Sequence, residues 1–243
     1  MIRKVAFVTG GTKGIGRAIV LKLLSEGCKV YINYAYDVGA AADFEEELTE
    51  KHSNSYEFIK ADLSDIVGVE YIAKFIIDKG EQLDYLILNA GTTNRASFQE
   101  VTLDEWNKVM NVNLTMPFFL TQRLEKSISK CGSIVLIGSV MGIYPHAMSI
   151  PYAISKAGVH MLAKQLVKYF ADRNVTVNVV VPGFVNTPWQ KNKPDAQRKR
   201  IEAKTAAHRF AEPEEVAALA YQALTNNYIN GACLQIDGGY CYE

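Results

Sequence analysis

Along the chain, short runs of β-branched and other apolar residues alternate with longer segments whose apolar positions recur every three to four residues. The short runs predict strands over Val5–Thr9, Val30–Tyr34, Glu57–Lys60, Tyr85–Asn89, Ser133–Gly138, Thr176–Val181 and Ala232–Ile236. The longer segments predict helices near Ile15–Glu26, Ala40–Lys51, Val67–Lys79, Leu103–Glu125, Tyr152–Ala171 and Glu214–Leu224. Several of the strands are apolar on both faces, as in a parallel sheet covered by helices on each side. Alternating strands and helices with right-handed crossovers imply an α/β fold, a doubly wound, mainly parallel sheet of about seven strands with helices on both faces. No linker, low-complexity tract or repeat breaks the rhythm, so residues 1–243 are expected to form one domain.

Two helical segments carry extra information. In the one beginning near Tyr152, the residues Lys156, His160, Lys164 and Lys168 follow at intervals of four and form a drifting polar stripe. Most of the remaining circumference is apolar, which predicts burial on more than one side, against the sheet and against a second subunit. A homo-oligomer, dimer or tetramer, is therefore expected. In the other segment Pro117 should kink or interrupt the helix.

From Cys131 to Ser155 there is no formal charge, a length that can span a bilayer. Gly132, Gly138, Gly142, Pro145 and Pro151 interrupt it, so it reads as a buried strand followed by a loop. Met1-Ile2-Arg3-Lys4 begins like a signal peptide, but the apolar run Val5 to Val8 is too short for one. The expectation is a soluble, cytoplasmic protein with no membrane partner. Composition agrees: 49% hydrophobic and 21% charged residues are ordinary for a globular chain. The 26 basic and 26 acidic residues cancel, leaving no global field for nucleic acid, so the partner is small or is met through a local patch. Cys28, Cys131, Cys233 and Cys241 show neither CxxC pairing nor zinc-ligand spacing, which predicts thiols in a reducing compartment and no metal site.

The first strand runs into Thr9-Gly10-Gly11-Thr12-Lys13-Gly14-Ile15-Gly16 and then a helix. Glycines at 10, 14 and 16 let the backbone turn sharply and approach a pyrophosphate, and the helix N-terminus behind them offers free N–H groups. Further on, Tyr152 and Lys156 are four apart and project from one helix face. A lysine ammonium ~4 Å from a phenol, at an effective dielectric of ~20, supplies ~4 kcal/mol and would draw the phenol towards neutral pH. Ser139, at the end of the fifth strand, can donate a hydrogen bond to a carbonyl oxygen.

The G-x-x-x-G-x-G spacing resembles the short-chain dehydrogenase/reductase family, and the rest of the chain carries that family's motifs in order. Asn89-Ala90-Gly91 closes the fourth strand, Asp62 follows the third, and Asn113 stands in Val112-Asn113-Leu114. Ser139 is followed thirteen residues later by Tyr152-Ala153-Ile154-Ser155-Lys156, and then by Pro182-Gly183 and Thr187. The resemblance implies a Rossmann-type oxidoreductase with Asn113, Ser139, Tyr152 and Lys156 as its catalytic residues. Tyr152 would protonate the developing alkoxide, Lys156 would also bind the nicotinamide ribose, and Asn113 would help to hold a water relay. The implied cofactor contacts are Gly10, Thr12, Lys13, Gly14, Ile15, Gly16, Tyr34, Asp62, Leu63, Asn89, Ala90, Gly91, Tyr152, Lys156, Pro182, Gly183, Val185 and Thr187.

Cofactor choice follows from two of these. NAD enzymes of the family end the second strand with an acid, and Tyr34 aligns to that place. Lys13 stands where NADP-preferring members carry a basic residue, or is simply a solvated loop lysine, and NADP (NADPH) is the expected cofactor. Within the family the chain resembles bacterial 3-oxoacyl-(acyl carrier protein) reductases, notably over Asn174–Val180 and Arg209–Ala217. That likeness implies NADPH-dependent reduction of a 3-oxoacyl thioester, with Lys130 and Arg173 facing the acyl carrier protein. Another small ketone, sugar or polyketide substrate, or a non-catalytic redox sensor, stays open. His208 and the bulky run Tyr144-Pro145-His146-Ala147-Met148 depart from the pattern and could narrow the substrate mouth. A lid is expected around 187–211. From Lys191 to Arg209 seven basic residues face only Asp195 and Glu202, either a solvated lid helix or an attractor for a carrier protein, a coenzyme A thioester or another acidic substrate.

Overall fold

In the computed structural model, which describes residues 3–240 apart from residues 53, 146–148 and 192, seven strands build one sheet. They are β1 (Val5–Val8), β2 (Lys29–Tyr34), β3 (Tyr56–Lys60), β4 (Leu83–Leu88), β5 (Ile128–Ile137), β6 (Thr176–Pro182) and β7 (Cys233–Ile236). Their order is β3-β2-β1-β4-β5-β6-β7, and every pairing is parallel. Among the described residues the α-helices are α1 (Gly14–Ser25), α2 (Val38–His52), α3 (Ile66–Asp78), α4 (Leu103–Met110), α5 (Met116–Leu124), α6 (Ile150–Tyr169), α7 (Asp195–Glu202) and α8 (Pro213–Thr225).

Side-chain alternation along the strands feeds two cores, one on each face of the sheet. Phe7, Tyr31, Leu86, Ile134 and Val177 point to the face covered by α3, α5 and α6. Ala6, Val8, Val30, Ile32, Ile87, Val135 and Val180 point to the face covered by α1, α2 and α8. Each fully buried Val, Leu, Ile or Phe among them contributes roughly 1.5–3 kcal/mol, which explains why the apolar runs settle as strands with no solvent face. The strand order reverses between β1 and β4. The loops leaving their C-terminal ends therefore diverge and open a crevice.

Two elements differ from the sequence pattern. β5 begins at Ile128 rather than Ser133, and its register with β4 jumps from Leu83–Ile128 to Tyr85–Ser133. The extra residues form a bulge in which Cys131 takes a φ of 59°. The single helix expected over Leu103–Glu125 is divided. Between α4 and α5 lies one π-helical turn, Asn111–Thr115, where Met116 N–H donates to Asn111 O, five residues back. Pro117 falls in the first turn of α5, where its missing N–H is tolerated. The carbonyl of Asn113 consequently lacks its ordinary partner four residues on. The polar stripe of α6 also divides: Lys156 and His160 are buried, whereas Lys164 and Lys168 are exposed.

Candidate active site

The loops after β1, β4, β5 and β6 border a cleft of about 730 Å³ along the C-terminal edge of the sheet. The first loop needs its glycines. Gly10 and Gly14 adopt φ values of 61° and 51°, which favour a residue without Cβ. A Cβ on Gly16 would overlap the Gly10 carbonyl and the Asn89 amide. Lys13 precedes α1 and offers no side-chain cap to its first turn, so the free N–H groups there point at the cleft.

Two side-chain amides brace this loop. Asn33 accepts from Gly10 N–H at 3.4 Å and donates to Ala61 O at 2.9 Å and Ile59 O at 3.2 Å. Asn89 Nδ2 donates to the carbonyls of Thr9 and Gly10, both at 3.0 Å. Thr9 Oγ1 in return accepts from the backbone of Asn89 at 2.9 Å and Ala90 at 3.0 Å.

Of the residues expected at the cofactor, Gly10, Lys13, Gly14, Ile15, Gly16, Asp62, Leu63, Asn89, Ala90, Gly91, Tyr152, Lys156, Pro182, Gly183, Val185 and Thr187 line the cleft. Thr12 is buried beneath the loop and is not among the lining residues. Tyr34 is also not among the lining residues. Its ring stands edge-on to Phe58 at 6.1 Å, and the cleft wall is made instead by Asn33, Ala35 and Tyr36. Strand alternation explains the shift, because neighbours of Asn33 face away from it. Tyr36 donates to the Asp62 carboxylate, which also accepts from Ser64 N–H at 3.0 Å. Lys13 is ion-paired with Asp37, a carboxylate that lies beyond the strand end.

At the far end of the cleft the four expected catalytic residues come together. Asn113 is 2% exposed and its amide is fully engaged. Its Oδ1 accepts from Thr92 N–H at 2.8 Å, and its Nδ2 donates to Thr92 O and Ser155 Oγ, both at 2.9 Å. Ser155 Oγ donates to Tyr152 O at 2.7 Å, so the amide positions the start of α6. Lys156, 4% exposed, donates from Nζ to Ile137 O at 2.7 Å and sits 5.7 Å from the centre of the Tyr152 ring. The Tyr152 phenol hydrogen-bonds Ser139, whose Oγ also accepts from Met141 N–H at 3.2 Å.

The electrostatics differ from the sequence expectation. Burial raises the Tyr152 phenol above the ordinary tyrosine value, and the Ser139 hydrogen bond opposes that only in part. The Lys156 ammonium, 5.7 Å from the ring centre, is itself pushed down to about 8 by burial. Tyr152 therefore keeps its proton at neutral pH. One turn further, His160 is pushed down to about 4 by burial and by the charges of Lys156 and Lys164.

Behind Ser139 and Tyr152 opens a second recess of about 360 Å³. Gly183, Trp189 and Gln190 also belong to both cavities. Trp189 meets Tyr152 edge-on at 6.1 Å. Sequence reasoning missed Asn33, Tyr36, Trp189 and Gln190; a polar Asn33 inside an otherwise apolar strand was the one available signal. The two residues expected at a carrier protein lie elsewhere. Both precede the central stretches of β5 and β6, at the N-terminal edge of the sheet. Arg173 is consumed there, donating to Glu125 O at 2.7 Å, its carboxylate at 3.2 Å, and Ile128 O. Lys130 is exposed in the β5 bulge. His146, Ala147 and Met148 lie outside the described residues, as does Cys241. Among the described residues no His, Cys, Asp and Glu cluster could hold a metal, and no helix is long and apolar enough to cross a membrane.

The family model for short chain dehydrogenases matches residues 4–198. The chain belongs to this family. A curated relative of this short-chain dehydrogenase is the 3-oxoacyl-[acyl-carrier-protein] reductase FabG of Vibrio harveyi, 35% identical over 240 residues, which span 97% of this chain and 96% of that one. Among solved structures, a short-chain dehydrogenase/reductase from Serratia marcescens matches with a TM-score of 0.91 and 32% identity over 98% of this chain and 97% of that one. The Pseudomonas aeruginosa RhlG/NADP active-site complex matches with a TM-score of 0.88 and 34% identity over 98% and 96% of the two chains. The short-chain dehydrogenase described here is thus an oxidoreductase with a Rossmann-type fold.

The buried lysine makes a prediction about pH. The unfolded chain holds the Lys156 proton up to its ordinary value of 10.5, whereas the folded protein releases it from about 8. Unfolding therefore takes up a proton between these values, and the folded state gains stability as pH rises through the window. Relative to Lys156→Met, the wild type should gain up to ~3 kcal/mol across that range. Urea unfolding of both proteins from pH 7.5 to 10 measures the gap; a gap that does not change with pH would mean the ammonium is solvated.

Proposed function

We propose that this protein reduces the ketone of a 3-oxoacyl thioester with NADPH, the acyl group being presented on an acyl carrier protein as the names of its FabG relatives suggest. The observation that carries the reading is the wall shared by the two cavities: Ser139 and Tyr152 stand where a cofactor in the cleft would meet a substrate in the recess. The residues fit a dinucleotide, since the glycine loop would be filled by a Cβ and the first turn of α1 has uncapped N–H groups. When bound, the nicotinamide supplies the hydride. Lys13, the α1 N-terminus, Asp62, Asn89 and Thr187 would hold it along the cleft.

The protein's own share is acid catalysis. Ser139 Oγ donates to the carbonyl oxygen and stabilises its growing charge. Tyr152, protonated at working pH, delivers its proton to that oxygen. The phenolate left behind faces the Lys156 ammonium, an attraction of ~3 kcal/mol at an effective dielectric of ~20. Asn113 has no free amide group, so its carbonyl, without the Pro117 N–H, is the atom available to hold a relay water. We further propose a cytoplasmic homo-oligomer, dimer or tetramer: Phe118, Ile154, Met161 and Tyr169 leave an exposed apolar face across α5 and α6. Sedimentation at micromolar concentration should show a species larger than the monomer, and a monomer would remove that proposal.

Tyr152→Phe deletes only a hydroxyl. It should reduce turnover of acetoacetyl thioester to a few per cent or less while NADPH binding, followed by nucleotide fluorescence, stays within about threefold. Retained turnover would place the proton donor elsewhere.

The NADPH preference rests on Lys13, whose charge Asp37 now shares. Asp37→Asn should release the ammonium to a 2′-phosphate and raise the NADPH-over-NADH ratio of kcat/KM several-fold, about 1 kcal/mol for an exposed ion pair. Ala35→Asp, at the cleft wall, should move the ratio towards NADH, whereas Tyr34→Asp should not. A wild type that uses both nucleotides equally would contradict the NADPH assignment.

A further inference from the structure

The recess beyond Tyr152 is lined by four cations from two separate parts of the chain. Arg95 comes from the segment after β4, and Lys193, Arg200 and Lys204 come from the lid that contains α7. No carboxylate lines the recess among the described residues, and Asp195 and Glu202 of the lid are not part of its wall. None of the four forms an ion pair with another described residue, although surface cations elsewhere do so repeatedly, as in Lys4–Asp84, Lys29–Glu81 and Arg209–Glu215. Arg95 instead donates to Trp189 O at 3.2 Å, and the Lys193 ammonium stands 6.0 Å from the Phe184 ring centre. Lys193 is pushed down from the ordinary lysine range by burial and by the charge of Arg95. The pair thus repel one another with no carboxylate among the described residues paired to either. In the same wall Gln190 Oε1 is buried without a donor among the described residues.

We propose that the recess selects a ketone that carries an oxyanion, a carboxylate or a phosphate, held by Arg95, Lys193, Arg200 and Lys204 while its carbonyl faces Tyr152 and Ser139. The proposal rests on the ketoreductase reading and narrows its substrate class. The four cations line the same 360 Å³ recess as Ser139 and Tyr152, so an anion among them lies within a few bonds of the reacting carbonyl. That geometry favours an acid at the far end of the acyl chain over a phosphate on a long thioester handle. Gln190 Oε1 would accept from an N–H or O–H of the same ligand.

The test compares three thioesters of equal acyl length with the wild type at low and high salt. They are the 3-oxohexanoyl and 3-oxoadipyl thioesters of N-acetylcysteamine and the 3-oxohexanoyl thioester of phosphopantetheine. The expected result is a kcat/KM for the 3-oxoadipyl compound about tenfold or more above that of its neutral match, a preference that shrinks with salt. In Lys193→Gln/Arg200→Gln the ratio between the two should fall close to one. A preference confined to the phosphopantetheine compound would still support an oxyanion, with the handle as its source. Equal turnover of all three overturns the proposal and leaves the ketoreductase reading intact. If no thioester is reduced, that reading fails instead. Titration of the protein with glutarate and with inorganic phosphate, read by the fluorescence of Trp189 against Trp189→Phe, then decides the anion site: saturable quenching supports it, and none in either titration overturns it.

Discussion

A lysine ammonium held out of water against the Ile137 carbonyl is the contact on which the site depends. Taking that charge from solvent is costly, and one carbonyl compensates for only part of it. The surroundings must therefore be rigid enough to keep the carbonyl in place. Ile137 ends β5 between β4 and β6, and a Cβ on Gly142 would lie 2.7–2.8 Å from the α6 backbone at Lys156 and Ala157. The Ser139 turn and α6 thus touch backbone to backbone. Fixing Lys156 fixes Tyr152 one turn earlier, and the same close approach brings Ser139 to the phenol. The three residues are one packed unit rather than three independent side chains.

Asparagine amides do the complementary work around this unit. An amide both donates and accepts, so a buried one can tie together two loops that share no secondary structure. Asn33 ties the glycine loop to β3, Asn89 ties it to β4, and Asn113 ties the loop after β4 to α6. Asn33 and Asn113 are buried with both ends of the amide engaged, where an unpaired group would cost about 1–3 kcal/mol. The π-helical turn that contains Asn113 belongs to the same logic, since it re-aims one side chain without ending the helix.

This explains what was legible in the sequence. Strands buried on both faces, the glycine loop, and the Ser139, Tyr152 and Lys156 spacing are local patterns, and local geometry realises them. That Asn33 and Ala35 line the cleft while Tyr34 packs against Phe58 reflects strand parity, where a shift of one residue exchanges the two faces of the sheet. The pairing of Lys13 with Asp37 and of Arg173 with Glu125 joins residues 24 and 48 positions apart. No periodicity encodes such partners. Nor could the sequence show that burial would raise the Tyr152 phenol, because desolvation depends on everything packed around the ring.

The charge arrangement then separates two tasks that the motifs alone merge. Along the cleft, Lys13 has Asp37 as a partner, and Lys156 has a carbonyl and sits apart from any carboxylate that would hold its proton. Across the wall formed by Tyr152 and Trp189, the balance is abandoned, and Arg95 and Lys193 face each other's field. Like charges placed together in a partly desolvated space raise the free energy of the empty protein and lower it again when an anion arrives. The catalytic wall therefore borders a recess whose charge is completed by what enters it.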